Sequence, residues 1–210
     1  MQRKSCLNPR RNAAFIRLTS ATALSAFLIS SVIPPAIVTR AVDEAEAEYT
    51  QAQTTQPVEP VVTKTYFDCP LPRDLQDHIA ALCEEYHIDP AIIVAMCKKE
   101  STYNARAVGD GGNSLGLMQI QPRWHKDRMK RLGCTNLKDA YQNVTVGIDF
   151  VGELLEKHED VEKALMAYNA GESGARKNWW KRGIYSNKYS RAVLEIAEEL
   201  KEGAIIEVYR

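Results

Sequence analysis

The segment at residues 89–100 most constrains the fold of this chain. Asp89 is a favourable helix N-cap, and Pro90 suits the first helical position. The residues that follow, 91–97, are all apolar. A helix that is apolar on every side must be surrounded by other elements. The sequence therefore predicts a central buried helix over residues 91–100, around which the rest of the domain packs.

Apolar residues at helical spacing predict further helices on both sides of this segment. Leu75, Ile79, Leu82 and Tyr86 form one stripe of a helix that starts near Pro72. Further helices are predicted at residues 123–132, 144–155, 160–168 and 188–201, with a short helical turn at 115–120 and a helix end at 169–171. Because two-residue alternation never extends beyond four or five residues, we expect an all-α, or mainly α, domain.

The first 41 residues differ from the rest of the chain. Residues 18–39 carry no charge and follow a basic stretch, which is typical of a signal peptide or an N-terminal membrane anchor. Pro34 and Pro35 favour the cleavable signal, and an uncleaved anchor (a transmembrane helix) stays the alternative. We expect a flexible linker at residues 42–65 and a globular domain at 66–205. The protein is then extracytoplasmic, secreted or anchored at the cell envelope, and touches the membrane only through its N-terminal segment.

The charge distribution argues against nucleic-acid binding. The chain has 27 Lys+Arg and 27 Asp+Glu, and six of the basic residues but none of the acidic ones precede Asp43. The remainder holds 21 basic against 27 acidic groups, so it lacks the overall positive charge that phosphate binding favours. One basic segment, residues 176–182, stands out because it contains Trp179 and Trp180, and we expect it to contact an acidic polymer.

Four cysteines follow the leader: Cys69, Cys83, Cys97 and Cys134. In an exported protein they can form two disulfides in any of three pairings. Cys83 and Cys97 also fit as small apolar residues on buried helix faces, and the sequence leaves both interpretations open. Since no C-x-x-C or H-E-x-x-H spacing occurs, the sequence predicts no metal site and no cofactor.

Glu100 is the candidate catalytic residue. It lies at the carboxyl end of the most apolar helix, where the helix dipole and the loss of solvation both disfavour a negative charge. We therefore expect a raised pKa, which suits a group that donates a proton to a glycosidic oxygen. The neighbouring Lys98 and Lys99 are expected to point to other faces of the helix. From position alone, a solvated helix-end glutamate remains the alternative.

Amide and aromatic side chains are available to hold a sugar chain, because glycans present both hydroxyls and flat apolar ring faces. The candidate amides are Gln119, Asn143 and Asn169, and the candidate rings are Tyr103, Trp124, Tyr168, Trp179, Trp180, Tyr185 and Tyr189.

Three motifs occur in an order that resembles the soluble lytic transglycosylase (SLT) domain family, which has a lysozyme-like fold. They are Glu100-Ser101, residues 116–120 (Gly-Leu-Met-Gln-Ile) and residues 167–171 (Ala-Tyr-Asn-Ala-Gly). The similarity extends over about residues 75–200. The resemblance implies an enzyme that cleaves the β-1,4 bond between N-acetylmuramic acid and N-acetylglucosamine in peptidoglycan glycan strands, leaving 1,6-anhydromuramic ends.

The resemblance also implies residue roles. Glu100 would be the general acid/base, which protonates the leaving oxygen and then takes the proton of the muramic 6-hydroxyl. The implied substrate-binding residues are Ser101, Met118, Gln119, Tyr168, Asn169 and Tyr189. In this chain the loop serine of many members is replaced near Gly109, and residues 186–188 replace the glutamate that often precedes the final tyrosine motif.

Two other functions stay open. Asp110 can position a water molecule, which would make the protein a hydrolytic muramidase of the lysozyme type, although an aspartate before Gly-Gly is also a common turn residue. The alternative from another class is a non-catalytic wall-binding or assembly protein on the same fold. The process served is open as well: secretion or conjugation machinery, growth and spore or phage-related lysis all fit.

Overall fold

The computed structural model describes residues 62–209. The predicted signal peptide or anchor, and the linker up to residue 61, lie outside the described residues. Among the residues that are described, no helix is both long and apolar enough to cross a membrane.

Six α-helices form most of the described part of the chain. They are α1 (Arg73–Tyr86), α2 (Pro90–Ser101), α3 (Pro122–Leu132), α4 (Ala140–His158), α5 (Val161–Asn178) and α6 (Lys188–Glu202). The strands are β1 (Val62–Tyr66), β2 (Val108–Gly109), β3 (Ser114–Leu115) and β4 (Ile205–Tyr209). β1 pairs with β4, and β2 pairs antiparallel with β3. The expectation of a mainly α domain is confirmed.

The central position of α2 follows from its sequence. The Asp89 carboxylate accepts a hydrogen bond from the Ala91 amide at 2.9 Å and caps the helix. Residues 93–97 are fully buried, and the helix packs most extensively against α6. The last turn of α2 therefore faces the first part of a helix that is about ninety residues further along the chain.

Two predictions of local structure are wrong. Residues 115–120 do not form a helical turn, because Leu115 and Ile120 exchange backbone hydrogen bonds of 3.0 Å and close a tight loop. The helix that begins at Val161 does not end at 169–171. Gly171 adopts φ 68° and ψ 154°, which kinks α5, and the helix then resumes to Asn178.

The cysteines are all free thiols in the described chain. Cys83, Cys97 and Cys134 are buried, and Cys69 is partly buried. Burial raises the pKa of the Cys83 thiol to about 12. The sequence allows Cys83 and Cys97 either to form disulfides or to pack in the core, and in the structure they pack in the core.

Candidate active site

A direct hydrogen bond joins Glu100 to Tyr189. Glu100 lies in the last turn of α2 and Tyr189 in the first turn of α6. The buried Tyr189 hydroxyl donates to Glu100 Oε1 at 2.5 Å. Because α2 packs against α6, the hydrogen bond is a consequence of the main helix contact in the fold.

The Glu100 carboxyl has a raised pKa, as the sequence predicts. Burial is the main cause, and the negative charge of Asp110 adds to it. The Tyr189 hydrogen bond and the Lys99 charge both lower the pKa, but they do not outweigh burial. The Lys99 charge therefore acts on Glu100 without reversing the shift.

The turn at residues 115–120 is held in place by Asn143 of α4. Asn143 Oδ1 accepts from the Met118 amide at 2.8 Å. Its Nδ2 donates to the carbonyl oxygens of Leu115 at 2.8 Å and Leu137 at 2.9 Å. Since Asn143 is fully buried, it positions the turn and is not available to bind a sugar.

Tyr168 connects this turn to α5. Its hydroxyl donates to the Met118 carbonyl oxygen at 2.6 Å. Burial raises the pKa of Tyr168 well above its ordinary value, and the charge of nearby Glu100 raises it further. The Met118 side chain is fully buried against Gly147. Because the Met118 amide donates to Asn143 and its carbonyl oxygen accepts from Tyr168, Met118 supports the site from within the protein.

The remaining predicted residues differ in how they border the site. Gln119 is partly buried and lies against Gly109, where an added Cβ would be 2.2 Å from Gln119 Oε1. Asn169 is exposed and lines a pocket together with Tyr189. The Ser101 hydroxyl donates to the Cys97 carbonyl oxygen at 3.0 Å, within its own helix. The structure thus brings together Glu100, Tyr189, Tyr168 and the Met118 backbone, with Gln119 and Asn169 at the edges.

Asp110 is held firmly in the loop that follows Glu100. Its Oδ2 accepts from Ser114 Oγ at 2.6 Å and from Gln121 Nε2 at 2.9 Å. Its backbone has a φ of 48°, which is uncommon for a residue with a side chain. Asp110 is therefore a fixed second carboxylate whose charge acts on Glu100.

The sequence analysis singled out the basic segment at residues 176–182 but did not place a group of cations beside Glu100. Lys99, Arg182, Lys188 and Arg191 line the pocket that Asn169 and Tyr189 also border. The only sequence signal is that six basic and no acidic residues occur between positions 176 and 191. Across residues 62–209, no three or more His, Cys, Asp or Glu side chains form a group suited to a metal ion.

Comparison with known proteins gives consistent relatives. A sequence model described as the transglycosylase SLT domain matches residues 77–190. The chain is 36% identical over 117 residues to a transglycosylase of Enterobacteria phage PRD1, which covers 56% of this chain and 40% of the phage protein. It is 31% identical over 123 residues to invasion protein IagB of Salmonella typhi, covering 56% of this chain and 72% of that protein.

Two further matches are more distant. Lysozyme g of Gallus gallus is 29% identical over 134 residues, which are 58% of this chain and 59% of that protein. The solved structure of an inactive mutant of the lytic transglycosylase Slt from Pseudomonas aeruginosa matches with a TM-score of 0.53 at 19% identity. That match covers 80% of this chain and 29% of the other chain, and it shows a shared fold.

Proposed function

The chain belongs to the transglycosylase SLT domain family, and on that premise we propose that it is a peptidoglycan lytic transglycosylase with Glu100 as its general acid/base. It would cleave the β-1,4 bond between N-acetylmuramic acid and N-acetylglucosamine and leave a 1,6-anhydromuramic end. The observation that carries this proposal is the environment of Glu100, a largely buried carboxyl with a raised pKa that is hydrogen-bonded at one oxygen by Tyr189.

The proposed reaction uses Glu100 twice. In its protonated form Glu100 donates a proton to the glycosidic oxygen as the bond from that oxygen to muramic C1 breaks. The resulting carboxylate then takes the proton of the muramic 6-hydroxyl while O6 bonds to C1. The 6-hydroxyl proton replaces the one that Glu100 donated, so the residue ends the cycle protonated, as it began. Because the nucleophile is part of the substrate, a second carboxylate is not required to activate water.

Tyr189 and burial support opposite halves of this cycle. The Tyr189 hydroxyl donates to Glu100 Oε1, which stabilises the carboxylate once the proton has left. Within the described residues no other side chain is hydrogen-bonded to Glu100, so Oε2 is the oxygen that we assign to the substrate. Burial opposes ionisation and keeps the proton available.

The remaining assignments concern the substrate groove. We assign Gln119 and Asn169 to sugar contacts at its edges, and the Met118 backbone and Tyr168 to the region beside Glu100. Ser101 would contact the sugar only as a hydrogen-bond acceptor, since its hydroxyl donates within α2. The enzyme would act outside the cytoplasm. Similarity to a protein named for invasion supports a role in opening the wall locally for secretion machinery.

Product analysis tests the proposed reaction. Purified peptidoglycan is digested with the wild-type protein, with Glu100→Gln and with Glu195→Gln, which makes the same change at an exposed position of α6. We expect 1,6-anhydromuramic ends by mass spectrometry, a rate loss of about 10²–10⁴-fold for Glu100→Gln, and wild-type rates for the control. Undiminished cleavage by Glu100→Gln would contradict the assignment, and a wild-type protein that cleaves nothing would indicate a non-catalytic wall-binding protein.

A hydrolytic muramidase is the second candidate, and the position of Asp110 favours it. This carboxylate is fixed by Ser114 and Gln121, and its charge acts on Glu100. In this second candidate Asp110 would orient the attacking water molecule, and lysozyme g is among the similar proteins. In that case the muramic ends would be reducing and one water heavier, and Asp110→Asn would abolish cleavage. A transglycosylase should keep most of its activity in that variant.

A further inference from the structure

The pocket beside Glu100 has an unusual charge. It has a volume of about 660 Å³, and four of its ten lining residues are cationic while none is acidic. The four are Lys99, Arg182, Lys188 and Arg191. Within residues 62–209, the ion pairs involve other basic residues, and none of these four contacts a carboxylate. Clustered cations without acidic partners give a pocket a positive potential that attracts anions.

Separate elements converge to build this charge. Lys99 comes from the last turn of α2, Arg182 from the 3-10 turn at Trp180–Arg182, and Lys188 and Arg191 from the start of α6. Arg191 Nη1 donates to Ser186 Oγ at 3.1 Å, which helps to hold its guanidinium. The amino-terminal end of α6 adds the positive end of its helix dipole.

The pocket adjoins the candidate active site. Tyr189, which donates to Glu100, lines it, and so does Asn169. The Lys99 charge reaches Glu100 as well. An anion bound in this pocket would therefore lie close to Glu100.

We propose that this pocket binds the carboxylates of the peptide that muramic acid carries, an inference that rests on the proposed function. That peptide is attached to the lactyl group of the sugar next to the cleaved bond, so its carboxylates are the anions closest to Glu100 in the substrate. Trp179 and Ile184 line the same pocket and offer apolar surface to the aliphatic parts of the peptide. The pocket volume is in the range of sites for small ligands.

Binding measurements on a protein that cannot turn over its ligand test the inference directly. The full chain with Glu100→Gln is titrated with a disaccharide pentapeptide and with the same molecule in which each peptide carboxylate is a carboxamide. We expect the acidic ligand to bind about tenfold more tightly, since hydrogen bonds to charged groups are the strong ones. This preference should decrease as salt is added.

Two double variants locate the preference. Arg182→Gln with Lys188→Gln should bring the affinity ratio of the two ligands close to one. Lys126→Gln with Lys130→Gln removes the same charge from exposed positions on α3 and should keep the tenfold ratio. Arg182→Lys retains the charge and should retain most of the preference. Thermal unfolding of each variant checks that the fold is intact.

Several results would overturn the inference. They are equal affinity of Glu100→Gln for the two ligands, no detectable binding of either, or a ratio that the pocket double variant leaves unchanged. Displacement of the acidic ligand by inorganic phosphate at equal concentration would instead identify a phosphate site. These readouts involve no bond cleavage, so hydrolytic products from the wild-type protein would overturn the transglycosylase proposal and leave this inference standing.

Discussion

At the scale of single residues, the properties of Glu100 depend on opposing effects. Burial at the end of α2 and the charge of Asp110 favour the protonated acid, whereas Tyr189 and Lys99 favour the carboxylate. The net effect is a raised pKa. A residue that must first donate and then accept a proton needs both forms to be accessible, because an acid stabilised in only one form would perform only one of the two steps.

Tyr189 lowers the pKa of Glu100 and Asp110 raises it, so variants of these two residues should change the pH dependence in opposite directions. The first step requires protonated Glu100, so kcat/KM should fall as the pH rises through its pKa. Tyr189→Phe removes the hydrogen bond that stabilises the carboxylate and should raise the pKa of Glu100, which moves this fall to higher pH. Asp110→Asn removes a negative charge and should move it to lower pH. If Tyr189→Phe and Asp110→Asn shift the kcat/KM profile in the same direction, this account of the site is contradicted.

Gly109 allows the role of Gln119 to be tested without changing Gln119. An added Cβ at position 109 would lie 2.2 Å from Gln119 Oε1, so Gly109→Ala should displace that amide. Because the side chain is flexible, we expect a loss of about 1 kcal/mol or less in the free energy of unfolding. We expect kcat/KM to fall about tenfold if Gln119 binds the sugar. Gly174→Ala, where the nearest atom is 3.5 Å away, is the control, and unchanged kinetics in Gly109→Ala would remove Gln119 from the site.

At the scale of elements, Asp149 joins three helices. This buried residue of α4 accepts hydrogen bonds from Tyr86 of α1 at 2.6 Å, from Arg128 Nε of α3 at 2.7 Å and from both Arg131 terminal nitrogens. Burial raises the pKa of Asp149, but the hydrogen bonds from Arg131, Tyr86 and Arg128 outweigh it and lower the pKa to about 2.

Asp149→Asn should therefore destabilise the protein strongly at neutral pH. Breaking a buried ion pair costs about 3–5 kcal/mol. A carboxylate with a depressed pKa contributes its stability above the unfolded pKa of about 3.9 and loses it as the pH falls through the folded value. Urea unfolding of wild type and variant should differ most at pH 7 and converge between about pH 4 and pH 2. Glu153→Gln, at an exposed partner of Arg128, should cost less than about 1 kcal/mol, and an equal cost for the two variants would contradict the role of burial.

The parts of the structure that could be predicted are those determined by residues close together in the sequence. The Asp89 cap and the apolar run define α2, and burial at its end predicts the raised pKa of Glu100. The turn at 115–120 could not be derived in the same way, because its shape depends on Asn143, 25 residues beyond Met118 in the sequence. The Tyr189–Glu100 contact spans 89 residues, and only the family resemblance placed Tyr189 in the site.

At the scale of the whole molecule, the two ends of the described chain are joined. β1 pairs with β4, Tyr66 donates to Asp77 Oδ1 at 3.0 Å, and Lys64 forms an ion pair with Asp77 at 2.7 Å. Arg73 also contacts Glu207. Both strands cross the domain boundaries expected at residues 66 and 205. The sequence assigns β1 to the linker because its residues are largely polar and its pairing partner lies more than 130 residues away.

Removal of β1 should therefore weaken the domain without changing its reaction. A fragment of residues 67–210 loses the buried Tyr66 ring, over which the Arg73 guanidinium is centred at 4.6 Å. We expect its free energy of unfolding to be about 3 kcal/mol lower than that of a fragment of residues 62–210, since losing a buried aromatic ring costs about this much. Tyr66→Ala in the full chain should reproduce most of the loss. Both fragments should release the same products from peptidoglycan, because Glu100 and Tyr189 lie on α2 and α6, which neither fragment shortens. If the two fragments unfold at the same urea concentration, β1 contributes no stability, and residue 66 is an adequate start for the domain.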